Sequence, residues 1–94
     1  MLSVSKLSFR GITRKVFARL RRKAAKSGMT VVHPRGETTR DGVRIQWEYD
    51  AAAEFLEVEC VRAPFWIDRA KIHRRLSLEI RSEIESELES RRAA

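Results

Sequence analysis

The residues able to do chemistry are few and scattered. The 94-residue chain holds one cysteine, Cys60, and two histidines, His33 and His73. A thiolate nucleophile needs an electropositive, partly open setting. Cys60 instead alternates with Leu56 and Val58 on the apolar side of a strand-like run, where a free cysteine packs as a small hydrophobe. His33 precedes Pro34, an extended turn position, and His73 falls on the apolar arc of a helical segment near Ile80 and Ile84. The expected role of His73 is a core-edge histidine donating to a backbone carbonyl. The two histidines lack the spacing of a His-x-x-x-His ligand pair. A single cysteine excludes an intramolecular disulfide and the usual cysteine-based metal sites.

Carboxylates are abundant but accounted for. Glu48, Glu57 and Glu59 fall on the solvent side of two strands, and Glu79 to Glu89 form the solvated face of a helix. No pair is set in apolar surroundings that would raise one pKa above the other. The chain has no Gly-rich phosphate loop, no Gly-x-Ser-x-Gly and no nucleotide fingerprint. An enzyme is the least expected class, and no cofactor or metal is expected.

Cations are the stronger signal. Arg10, Arg14, Lys15, Arg19, Arg21, Arg22, Lys23 and Lys26 lie within one stretch that contains no acid. The formal net charge is +7, and it is unevenly placed. Residues 1–40 hold eleven Lys and Arg against Glu37 alone, whereas residues 41–94 hold nine against twelve acids. This asymmetry suits a polyanionic partner or association between opposite ends of two copies. Charge also serves solubility alone. The candidate polyanion-binding residues are Arg14, Lys15, Arg19, Arg21, Arg22 and Lys26, with nucleic acid the first expected partner. Helix-turn-helix, zinc-finger and RNA-recognition signatures are absent, and no aromatics are interleaved with the cations for base stacking. The alternative is a structural or scaffold subunit of a homo-oligomer with no nucleic-acid role.

The elements that position these residues are legible from periodicity. Val4 to Phe9 is a short strand candidate with Leu7 and Phe9 on one face. Ile12 to Ser27 reads as a helix: Ile12, Val16, Phe17, Leu20 and Ala24 fall within an arc of about 140°. Gly28 follows as a residue suited to the left-handed conformation that ends helices. Thr30 to His33 is a β-branched run stopped by Pro34, and Arg35 to Gly42 is expected to be a loop or wide turn. In Val43 to Asp50, Val43, Ile45, Trp47 and Tyr49 alternate with polar residues, the pattern of a half-buried strand. Phe55 to Arg62 is its hairpin partner. Setting core against core allows Trp47 opposite Val58 and Ile45 opposite Cys60, or a slip by two residues. The first choice opposes Glu48 to Glu57.

Asp68 is a good N-cap for a helix reaching about Ser90. Ile72, Leu76, Ile80, Ile84 and Leu88 recur every fourth residue. That stripe drifts around the helix by about 40° per step. It is expected to follow the sheet for two or three turns and then leave it, with Ile84 and Leu88 covered by a homodimer. Basic Ile12–Ser27 could also lie on an anionic membrane if its apolar stripe were free.

The predicted order is β-α-β-β-β-α. It implies a single α+β domain over residues 1–94, with an antiparallel sheet of three to four strands and two amphipathic helices on one face. The chain is too short for more than one domain of ordinary size. It shows no signal peptide and no apolar run of membrane-spanning length, so a cytoplasmic location is expected. The element order, with Tyr49-Asp50, Leu56-Glu57-Val58 and Pro64-Phe65 ahead of a terminal helix, resembles the layout of the polyhydroxyalkanoic acid system proteins. The glycine-rich middle of that family is missing, and no functional residue carries over.

Overall fold

The central hairpin shows how alternation becomes structure. In the computed structural model, which describes residues 6–93, strand β3 (Val43–Asp50) and strand β4 (Phe55–Arg62) pair antiparallel. Trp47 stands opposite Val58 and Ile45 opposite Cys60, the first of the two permitted registers. Glu48 does oppose Glu57. Arg35, on the other side of β3, lies 3.8 Å from the Glu48 carboxylate, and solvent screens both this contact and the repulsion. A bulge between Arg44 and Ile45 ends the regular pairing.

Strand β1 (Leu7–Arg10) adds to β4, and strand β2 (Arg35–Arg40) adds to β3. The four-stranded order is β1-β4-β3-β2, antiparallel throughout. Helix α1 (Arg14–Lys26) follows β1, and helix α2 (Arg69–Ala93) ends the chain. The fold is α+β, in the expected order β-α-β-β-β-α. The strand candidate at Val4 and Ser5 lies outside the described residues.

The position of β2 corrects the sequence reading. Arg35 to Gly42 is not a loop: residues Arg35–Arg40 form the strand, and Asp41 and Gly42 turn the chain. Thr30 to His33 is instead an irregular connection. The physical reason is that β2 lies at the sheet edge, where one neighbour suffices and apolar alternation is not required. Asp41 and Gly42 have φ of 52° and 81°, the left-handed pair of a two-residue hairpin turn, for which Asp-Gly is a favoured sequence. Gly36, opposite Trp47, leaves space for the indole: a Cβ there would sit 3.1 Å from the Trp47 ring.

The helices end where their caps dictate. Thr13 accepts from the Val16 amide at 3.2 Å at the start of α1. At its end the Met29 amide donates to the Ala24 carbonyl and the Gly28 amide to Ala25. This is the Schellman arrangement, and it requires Gly28 at φ 82°. Asp68 caps α2 by accepting from the Ala70 amide at 2.9 Å.

Both helices cover one face of the sheet. Ile12 and Val16 from the α1 segment and Ile80 from α2 meet Ile45, Trp47, Tyr49, Leu56, Val58 and Cys60. Two polar groups in this core have backbone partners. Trp47 donates its indole N–H to the His33 carbonyl at 2.8 Å, and the Tyr49 hydroxyl donates to Ile12 at 2.7 Å. Phe17 stacks on Tyr49 with ring centres 4.2 Å apart. Ile72, Leu76 and Ile84 pack on the core's edge, whereas Leu88 remains 46% exposed. Ile84, expected to be covered by a second copy, therefore docks within its own chain.

Candidate functional site

The basic helix divides into two faces. Arg19 and Lys23 turn toward α2. Lys23 Nζ lies 2.8 Å from Glu79 and 3.2 Å from Glu83, and Arg19 reaches Glu83 at 3.9 Å and Glu87 at 3.6 Å. Glutamates four residues apart on α2 thus meet cations four apart on α1, with the two helices antiparallel. The hydrogen bond from Lys23 holds the Glu79 carboxyl below its ordinary pKa, and the same contact raises that of Lys23 despite opposing desolvation. Glu87 is buried and also lies 3.6 Å from Arg91.

The opposite face is open. Arg14, Lys15, Arg21, Arg22 and Lys26 are exposed. At 100° per residue they span about 140° of the helix. None of the five has a carboxylate partner among the described residues. Arg21 donates its Nε–H to the Val31 carbonyl at 2.8 Å, which fixes its guanidinium. The first turn of α1 contains no acid and two cations, Arg14 and Lys15. Each such cation opposes the helix dipole at a cost of about 0.3–1 kcal/mol. Helix stability therefore does not explain them.

The structure thus separates the six candidate residues. It brings Arg14, Lys15, Arg21, Arg22 and Lys26 together and assigns Arg19 to an internal contact. The sequence places the acids of residues 79–89 on a solvated helix face. Glu79, Glu83 and Glu87 instead turn back on their own chain. Only the antiparallel helix contact reveals this. The apolar stripe of α1 is partly consumed by folding: Ile12 and Val16 are fully buried, and Phe17, Leu20 and Ala24 are half-buried. An amphipathic helix lying on a membrane needs that stripe free. No helix is long and apolar enough to cross a membrane among the described residues.

Cys60 and His73 meet, which the sequence did not show. The Cys60 amide donates to His73 Nε2 at 2.9 Å, and Arg69 donates its Nε–H to the Cys60 carbonyl at 3.1 Å. His73 is therefore an acceptor, correcting the expected donor role. β1 pairs with β4 from Phe55 to Val58. Just past that pairing, two side chains one helical turn apart take over the backbone groups of Cys60, as a neighbouring strand would. Burial pushes the Cys60 thiol up and the His73 imidazole down, the latter helped by the Arg69 charge. A buried, protonated thiol whose neighbours satisfy backbone groups is a packing element. Among the described residues, no group of three His, Cys, Asp or Glu is placed to hold a metal.

Comparison with family models, with curated proteins and with solved structures found no match.

Proposed function

We propose that this chain is a small non-catalytic binding protein that takes a polyanion, nucleic acid first, on the open face of α1. The observation that carries this reading is the contiguous arc of Arg14, Lys15, Arg21, Arg22 and Lys26, exposed and without carboxylate partners among the described residues. Ala18 and Ala25 lie in the same arc, so a phosphate backbone approaches the helix without steric interference. The contacts are of the positioning kind, to phosphates rather than bases. Binding is therefore weak, indifferent to sequence and driven by counterion release.

The test is fluorescence anisotropy of labelled single- and double-stranded oligonucleotides at low ionic strength. The native chain binds both. A variant with Arg14, Lys15, Arg22 and Lys26 changed to Gln loses that binding while keeping its fold, because all four side chains project into solvent. Absence of binding by the native chain to either form rejects the proposal.

The second reading is a homo-oligomer. The observation favouring it is exposed apolar surface: Leu78 and Leu88 on α2 are 64% and 46% exposed, and Phe65 is 97% exposed. Sedimentation equilibrium across a wide concentration range separates the two. A dimer without affinity for nucleic acid favours the second.

A further inference from the structure

α1 and α2 touch at one end, where Arg19 and Lys23 meet the α2 glutamates, and enclose a cleft against the sheet. Its volume is about 670 Å³, within the roughly 300–1,000 Å³ range of small-ligand sites. The floor is Ile45, Trp47, Leu56 and Val58 from β3 and β4; Leu20 and Ala24 form one wall, Ile72 and Leu76 the other. The Trp47 indole N–H is already bound to the His33 carbonyl, so the ring offers the cleft only carbon. No buried side-chain N or O lacks a hydrogen-bond partner among the described residues. Apart from the hydroxyl residues Ser27 and Thr38, the uncharged lining is apolar, so the interior rewards chiefly apolar contact.

The mouth is different. Arg21, Lys23, Arg40, Lys71 and Arg75 border the cleft, against only Asp41 and Glu79. Lys23 is held by Glu79 and Glu83, and Arg40 by Asp41 and the Ser27 carbonyl. Lys71 has no carboxylate partner among the described residues, and Arg75, one turn along α2, makes only an exposed 3.7 Å contact to Glu79. Two copies meeting cleft to cleft would press these cationic rims together, which disfavours a second copy as the occupant.

We infer that this cleft binds a single-chain anionic amphiphile, its alkyl chain along the sheet floor and its head group at Lys71 and Arg75. An apolar interior with an ionic mouth selects a molecule of the same polarity: chain inside, anion at the rim. This site shares only Arg21 with the open face of α1, and neither Lys71 nor Arg75 belongs to that face.

The test uses dodecanoate below its micellar concentration and the full chain carrying Trp66→Phe, which leaves Trp47 as the sole indole. Dodecanoate is expected to change Trp47 emission saturably and to raise the melting temperature by mass action. Dodecyltrimethylammonium, with the same chain and opposite charge, is expected to bind at least about tenfold more weakly. K71Q/R75Q, at two exposed positions, is expected to weaken dodecanoate about tenfold and leave dodecanol unchanged. Ala24→Phe, which fills the cleft, is expected to weaken all three. The variant with four α1 cations replaced still binds dodecanoate, so failure of this inference is distinct from failure of the nucleic-acid reading. The inference is overturned by an unsaturable signal, a fall in melting temperature, equal binding of the two charged amphiphiles, or binding only to anionic bilayers. It is equally overturned by a dimer that covers the cleft walls at Leu20 and Leu76 and excludes dodecanoate.

Discussion

His73, together with Arg69, stands in for a missing strand beside Cys60. Its Nε2 accepts from the Cys60 amide, which requires the neutral ring. Burial, with the Arg69 charge beside it and Glu59 opposing, lowers its pKa below the ordinary 6.5. In the unfolded chain His73 takes up a proton as pH falls through about 6.5, whereas in the folded chain it resists until lower pH. The unfolded state therefore binds more protons in that window. Stability is complete above pH 6.5 and is lost as pH falls toward the folded pKa. Urea melts from pH 8 to pH 5 are expected to show this loss, and His73→Ala is expected to remove its His73 component. The same substitution strands a buried amide, at about 1–3 kcal/mol. Cys60 has a complementary test. Fully buried and with its thiol pKa raised, it is expected to react with a thiol reagent at the rate of unfolding. Rapid labelling of the native protein would contradict this.

Among the elements, the two central strands were the most legible, because Val43 to Asp50 alternates throughout and Phe55 to Arg62 alternates from Leu56 to Cys60. Two registers stayed open because both set apolar residues against apolar residues on the core face, and the strand that pairs with the far side of β3 was read as loop. That strand is polar, and its one local signal was Asp41-Gly42. Gly42→Ala is expected to cost about 1–2 kcal/mol for a left-handed residue carrying a Cβ, since φ there is 81° and the added atom meets Pro64 Cγ at 2.8 Å. Trp47→Ala, at the centre of the sheet, is expected to cost about 3–5 kcal/mol. Thermal or urea melts check both; a Trp47→Ala variant near native stability would refute the packing assigned to β3. Between the helices, Arg19→Ala removes partners of Glu83 and Glu87. It is expected to destabilise by about 1 kcal/mol, because the arginine is one-third exposed and partly screened. It is not expected to alter nucleic-acid affinity.

At the scale of the molecule, the positive N-terminal and negative C-terminal halves are partners before they are binding surfaces. α2 neutralises the inner side of α1 and leaves its outer side charged. Net charge by segment showed the asymmetry, but which cations stay free depends on an antiparallel packing that no local pattern encodes. The cleft was invisible for the same reason. Its walls are ordinary amphipathic stripes, and only their separation in space makes a cavity. Two aromatic residues ahead of α2, Phe65 and Trp66, pack edge to face at 5.1 Å while remaining largely exposed.

Salt dependence distinguishes the proposed phosphate contacts on the outer face of α1 from other modes of binding. Association with duplex DNA, measured at several salt concentrations, is expected to give a line of log K against log salt. Its slope is about −0.9 per phosphate contacted. With four to five free cations the expected slope is roughly −3.5 to −4.5. Arg22→Gln is expected to make it shallower by about one unit with no change in sequence preference. Arg19→Ala is expected to leave it unchanged. No binding at low ionic strength, or a slope insensitive to Arg22, would contradict the account.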